Sequence, residues 1–385
     1  MTHPDDWQLN RRQWLLATTA ALTACGGGAG GSITAALPGT GGTGIGMQGP
    51  ITGFGSVIVN NTRFDDSAAG VYLDGIKLSS ADLRVGMVAI IDGSLEPGGA
   101  SGSASRIDVW SIARGVLQQA DIAGSGFSMA GMQFSTDAAT SFEGLANIAS
   151  ITSDTPLAIW GVQTSADARS WRATRVKLLA TPAASMVSTG LYIASSQSLN
   201  GMHLSGSAVS GFTDRQLLRV EGVFDSGTGE LLVAKAVATG AEQRIPSSGL
   251  VELEGVVTAY TSATAFSIGT IQVDASKAVV HGESRTLNLN STVEATGTVQ
   301  NGVLLASELE IKSSSAAVQV DITGVVESYE GPGAFEVRGQ HCDASNARVL
   351  SGLTANLRGG TKVRVVGTSD GHETLTVLSI YIGVP

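Results

Sequence analysis

Val293-Glu294-Ala295-Thr296-Gly297 is the stretch that decides the fold. Val293 and Ala295 face one way and Glu294 and Thr296 the other, which is the two-residue period of a strand with one buried face. The phrase has four other versions: Val88-Ala89-Ile90-Ile91-Asp92-Gly93, Leu157-Ala158-Ile159-Trp160-Gly161, Leu218-Arg219-Val220-Glu221-Gly222 and Val363-Arg364-Val365-Val366-Gly367. Every version ends in glycine.

Reading outward from it, each copy sits inside the same longer sentence. An opening element carries glycine among β-formers: Ile51-Thr52-Gly53, Arg114-Gly115-Val116, Thr189-Gly190-Leu191, Glu254-Gly255-Val256 and Thr323-Gly324-Val325. A second element often begins with an aromatic, as in Phe127-Ser128-Met129-Ala130-Gly131, Phe266-Ser267-Ile268-Gly269 and Phe335-Glu336-Val337-Arg338-Gly339. A closing element alternates small and aliphatic residues, as in Leu305-Ala306-Ser307-Glu308-Leu309. Turn clusters such as Gln300-Asn301-Gly302 and Ser369-Asp370-Gly371 separate the last two, and Asn-Gly and Asp-Gly tolerate the positive φ that hairpins need. Helix is confined to single turns, such as Ser79 to Leu83.

Internal repeats of this kind predict a modular all-β chain. Each unit holds about five short strands in about 65 residues, a size that closes as a small OB-like barrel and so removes long open edges. The expected architecture is a tandem array of about five such five-stranded barrels, in a row and each with its own core. The units span residues 49–112, 113–180, 187–240, 250–313 and 319–385, with exposed connectors at Thr181 to Val187 and Gly240 to Gly249.

The succession G-x-V, F-x-V-x-G, V-x-V-x-G and L-x-A-x-x-I resembles the bacterial DUF5666 domain, an uncharacterised domain found repeatedly in exported proteins and lipoproteins. The resemblance covers most of the chain after about residue 49. Units one, four and five lie nearest to it, the second is longer, and the third has Leu199-Asn200-Gly201-Met202 where the aromatic belongs. It implies an OB-like β fold and brings no catalytic residues.

The first residues read as an export leader. Arg11-Arg12 precede a moderately apolar run from Trp14 to Ala24, too short to span as a stable anchor. The run ends Leu22-Thr23-Ala24-Cys25, which resembles the lipobox of bacterial lipoproteins. By that resemblance residues 1–24 are a signal peptide and Cys25 becomes the lipidated first residue of the mature chain. Asn10-Arg11-Arg12-Gln13-Trp14-Leu15-Leu16 also resembles a twin-arginine export motif, with Asn before the pair and no Lys at its end. Residues 25–48 read as a Gly-rich tether of flexible coil. Two matches to G-x-G-x-x-G fall in or at its end, but neither follows a strand or opens a helix. The expected address is the cell envelope, with the protein held through its lipid. Gly26 after the lipidated cysteine, where inner-membrane lipoproteins often carry Asp, points to the outer membrane.

The chain has 385 residues, 43% of them hydrophobic, and a formal net charge of -10. No cluster of Lys and Arg supplies the positive footprint that nucleic acid requires, so no nucleic-acid partner is expected. Two cysteines, Cys25 and Cys342, make neither a disulfide framework nor a zinc pattern. No nucleophile elbow, P-loop or H-E-x-x-H occurs. The histidines at 3, 203, 281, 341 and 372 are scattered singly. In His341-Cys342-Asp343, strand alternation sends neighbours to opposite faces, so the three cannot converge on one ion. No catalytic residue, metal or cofactor is assigned, and Cys342 is expected to be a buried free thiol. Trp110, Trp160 and Trp171 fall on or near strands of the first two units. They read as core or, as OB folds allow, as a stacking platform for a ligand. The leading functional expectation is a non-catalytic binding or structural lipoprotein, with envelope proteins or glycans as partners. Its competitors are an enzyme on polysaccharide with a site between modules, and a passive spacer.

Overall fold

The computed structural model describes residues 45–96, 100–121, 126–165, 169–181, 185–239, 249–269, 271–281, 286–312 and 318–384. Among them the regular structure is strand, interrupted by single 3-10 turns such as Ser80–Asp82. That turn is set by its sequence: the Ser79 hydroxyl accepts from the Ala81 N–H, and the Asp82 carboxylate accepts from the Ser79 N–H.

Five strands close on themselves in each repeat. In barrel 1 the opening strand Ile45–Phe54 pairs with the second strand Val57–Val59 on one edge and with the fourth strand Val88–Leu95 on the other. A hairpin leads to the third strand Thr62–Asp65, which lies parallel to the fifth, Ser101–Val109; the fifth returns antiparallel to the fourth. The order round the ring is 1-2-3-5-4-1 with one parallel step, the OB arrangement. Barrel 2 repeats it with Ala113–Val116 and Gln119–Asp121 as a two-part opening strand, then Gly126–Met129, Met132–Ser135, Pro156–Gln163 and Ser170–Leu178. Barrel 3 uses Met186–Ile193, Ser198–Leu199, Met202–Ser205, Leu217–Asp225 and Glu230–Ala238. Barrel 4 uses Leu250–Ser262, Ala265–Ile268, Ile271–Asp274, Thr292–Gln300 and Val303–Lys312. Barrel 5 uses Gln319–Gly331, Ala334–Val337, Gln340–Asp343, Lys362–Thr368 and Thr374–Ile382.

The glycine ending each fourth-strand phrase has one structural cause throughout. Register slips at Gly93, Gly161, Gly222, Gly297 and Gly367, each time where the fifth strand crosses closest. A Cβ at any of the five would stand 2.0–2.4 Å from a fifth-strand carbonyl oxygen. Close backbone approach, not unusual φ, excludes a side chain here.

The barrels close individually, but the expected row of separate cores is corrected. In an opening strand, one half pairs with the fourth strand and the other half with the second, so each half keeps one spare edge. Barrel 1 uses both spare edges. Gly46–Gln48 run parallel to Val251–Leu253 of barrel 4, and Gly53–Phe54 run parallel to Asp321–Ile322 of barrel 5. Barrels 1, 4 and 5 therefore form one continuous sheet, and Ala113 and Arg114 pair with Ser188 and Val187 to join barrels 2 and 3 in another. Cores merge too, though not along the same lines as the sheets. Barrels 1 and 5 share one, which also takes in Ala158 and Trp160 of barrel 2; barrels 2 and 3 share a second. Barrel 4 keeps its own, around Phe266, Val293, Ala295 and Leu304. A unit of about 65 residues is only marginal alone, and the shared cores enlarge the apolar surface that barrels 1, 2, 3 and 5 bury.

Composition also misplaced the end of the tether. Ile45 to Gln48 belong to the opening strand, and Met47 is only 1% exposed. Of the connectors, residues 182–184 and 240–248 lie outside the described residues, and Met186 is buried rather than exposed.

Polar ties reinforce the joints. Asp74 of barrel 1 accepts from the Ser111 N–H at 2.7 Å and forms ion pairs with Arg114 of barrel 2 at 3.6 Å and Arg219 of barrel 3 at 3.2 Å. Asp321 of barrel 5 receives both Arg364 and Arg63, the latter from barrel 1. Arg175 of barrel 2 reaches the Val85 carbonyl of barrel 1.

Candidate ligand-binding site

Barrels 1 to 4 meet around a cavity of about 800 Å³. Its walls are mainly outer faces of barrel strands, with Met47, Ile112, Leu253 and Ile268 of the cores also bordering it. Barrel 1 contributes Gln48, Val88 and Ile90; these alternate with Met47, Ala89 and Ile91, which point into the barrel core. Barrel 2 contributes Val162, Gln163, Arg169 and Trp171, and the link between barrels 1 and 2 adds Trp110 and Ile112. From barrel 3 come Leu191, Ile193, Asn200, His203, Arg215 and Leu217, and from barrel 4 Glu252, Glu254, Val256, Ile268 and Ile271. A mostly apolar wall with a few polar groups is the usual make-up of a small-molecule site.

Local structure holds these groups in place. Asn200 and Gly201 form the turn of the barrel 3 hairpin, with φ of 50° and 75°. The Asn200 amide donates to the Ser188 hydroxyl and the Thr189 carbonyl, and it occupies the space that a Cβ on Gly190 would need. The opening-strand glycine of barrel 3 is thus required by the asparagine packed over it.

Glu252 and Glu254 are two positions apart on one strand, so they share a face. Glu254 is tied to Lys312 at 2.9 Å, and Lys312 also pairs with Glu294 at 2.6 Å. Burial pushes the Glu294 carboxyl above its ordinary range, with Lys312 opposing. Burial alone would lower Lys312, but the two carboxylates outweigh it and raise its pKa. Two carboxylates on one strand face do not flank a bond from opposite sides.

Of the three tryptophans singled out in the sequence, the structure brings Trp110 and Trp171 together in this cavity. Trp160 is corrected: it is 3% exposed in the core shared by barrels 1 and 5 and offers no ligand face. Its strand, Pro156–Gln163, is buried on both sides because another barrel covers its outer face. Arg169, His203, Arg215, Glu252 and Glu254 were not singled out. One signal was available: Val88-Ala89-Ile90-Ile91 and Leu157-Ala158-Ile159-Trp160 are apolar at both alternating positions, the mark of a strand covered on both faces.

Elsewhere, Cys342 is a free cysteine with no exposed surface, and burial pushes its thiol pKa up. His341 is exposed beside it, as strand alternation requires. Among the described residues, no group of three or more His, Cys, Asp and Glu side chains is placed to hold a metal. Arg11, Arg12, Leu22, Thr23, Ala24 and Cys25 lie outside the described residues.

The fold defines a protein of fused OB-like barrels. The family model described as "Domain of unknown function (DUF5666)" matches residues 114–177 and residues 254–310, two copies. These segments lie in barrels 2 and 4: of the first, fourth and fifth units that stand nearest to the phrase the match takes the fourth, and it adds the longer second. No curated protein matches the chain. Among solved structures the chain is similar to one titled "drosophila Unr CSD456", at 12% identity over 44% of this chain and 78% of that one; the TM-score of 0.14 carries no argument.

Proposed function

We propose that this protein is a non-catalytic, lipid-anchored envelope protein that binds a small ligand in the cavity where barrels 1 to 4 meet. The observation that carries the reading is that cavity, with Trp110 and Trp171 on a largely apolar wall. Four barrels converging on one space suit binding better than a spacer, which would need only length. The polysaccharide enzyme is less well supported, because glycoside hydrolysis needs carboxyls on both sides of the bond. Here both cavity carboxylates come from one strand, and Glu254 is held by Lys312. In this reading Arg11 and Arg12 direct export, cleavage follows Ala24, and Cys25 carries the lipid that holds the protein at the outer membrane. Envelope glycans or proteins are then partners of the remaining surface.

Native mass spectrometry of the mature protein after incubation with small-molecule envelope extract tests the site. The expected result is a bound species that is lost on Trp171→Ala. An extract that leaves no bound species on the folded wild-type protein overturns the reading. The anchor is tested separately: Cys25→Ser should move the protein from the membrane to the soluble fraction or leave its leader uncleaved, and an unchanged membrane fraction removes the lipid from the proposal.

A further inference from the structure

The nature of the ligand can be taken further, on the reading that the cavity is a binding site. Its charges come from different walls. Barrels 2 and 3 supply Arg169, His203 and Arg215, whereas barrel 4 supplies Glu252 and Glu254. Arg169 lies across the barrel 3 hairpin turn: a Cβ on Gly201 would stand 2.1 Å from its Cγ. The glycine that the turn requires is therefore also the seat of an arginine from the neighbouring barrel. His203 stands on the strand Met202–Ser205 that leaves this turn, and it too lines the cavity. Arg215 stands at the entry to the fourth strand of that barrel, fixed by its N–H to the Tyr192 carbonyl at 2.7 Å. All three are exposed at residue level, placing them at the rim. Trp171, two positions on from Arg169, lines the same cavity as Trp110 and Ile90, and all three are half-buried.

We infer that the ligand is an amphipathic anion, with its carboxylate, sulfonate or phosphate head at Arg169, His203 and Arg215 and its apolar body along Trp110, Trp171 and Ile90. Arginine forks suit oxyanions, and their charge-assisted bonds are stronger than neutral ones. A neutral glycan would stack on the tryptophans and gain little from the arginines. The volume suits a small molecule or a single acyl chain rather than a folded partner.

The test uses the mature full-length protein and four probes below their micelle concentrations: dodecyl phosphate, dodecanoate, dodecyl sulfonate and neutral dodecyl maltoside, followed by tryptophan fluorescence. The anionic probes should bind more tightly than the maltoside, and more weakly as salt rises. The three heads distinguish phosphate from carboxylate and sulfonate sources. Arg169→Gln with Arg215→Gln should weaken the anions by about tenfold or more and leave the maltoside unchanged. Arg169→Lys with Arg215→Lys should restore part of the loss, and matching melting curves establish that the variants fold. Equal affinity for charged and neutral heads, or insensitivity to the glutamine pair, overturns the inference while leaving the cavity a binding site. Failure of every probe, with Trp171→Ala indistinguishable from wild type, overturns both.

Discussion

The Arg175 guanidinium donates to the Val85 carbonyl at 2.8 Å, across the boundary between the second barrel and the first. The arginine side chain is only 1% exposed, and its charge is met by Glu143. Burial would raise the pKa of Glu143, but Arg175 and Lys177 outweigh it and hold the carboxyl below its ordinary value; burial lowers that of Arg175.

Glu143→Gln should therefore destabilise the protein by about 3–5 kcal/mol at neutral pH, because it strands a buried cation. The depressed folded pKa fixes the sign of the pH dependence. The stabilisation is present above the unfolded pKa and is lost as pH falls through the folded one. Thermal melts of both proteins should show a gap that narrows on acidification. A gap constant from pH 7 into the carboxylate range would rule out this account.

Gly297→Ala should cost more than Gly302→Ala. A Cβ at Gly297 meets the Leu305 carbonyl oxygen at 2.0 Å, and neither strand can yield cheaply. Overpacking of this kind costs about 1–3 kcal/mol or more. Gly302 has φ of 80° but open space around it, so only its backbone preference opposes a side chain, at about 1 kcal/mol. Urea denaturation of the two variants measures the order.

Truncation before Val318 should destabilise the first barrel rather than simply remove the fifth. It uncovers Phe54, which is 1% exposed and lies beneath the Arg338 guanidinium, 4.4 Å from the ring centroid. It also takes Asp321 from Arg63. Hydrogen exchange should reveal faster exchange along Ile45–Phe54; an unchanged rate there would show the first barrel to be self-sufficient.

Cys342 should react slowly with a thiol reagent in the native protein and rapidly in denaturant, since it has no exposed surface and burial disfavours the reactive thiolate. Rapid native labelling would place it in a segment that opens easily.

Alternation and terminal glycines carried the barrels into view from sequence because they report on the inside of one unit. Val293 and Ala295 point into a core that their own repeat supplies. The joints were less legible. Gly46 meets Val251 through backbone hydrogen bonds, to which side-chain identity contributes little. The cavity drew its tryptophans from a visible residue type, but Arg169 and His203 look like ordinary surface polars until two barrels are brought together. Trp160 failed as a ligand-face residue for the converse reason: its outward position is covered by another barrel.

The opening strand Ile45–Phe54 also imposes an order in time. It is the first of the described strands to be synthesised, yet Gly46 must wait for Val251 and Gly53 for Asp321. Until barrels 4 and 5 exist, the earliest strand presents two open hydrogen-bonding edges to whatever the growing chain encounters. Completion of the molecule is thus registered at its beginning: a chain cut short late in synthesis retains its first barrel with unsatisfied edges, and such edges invite association with other chains.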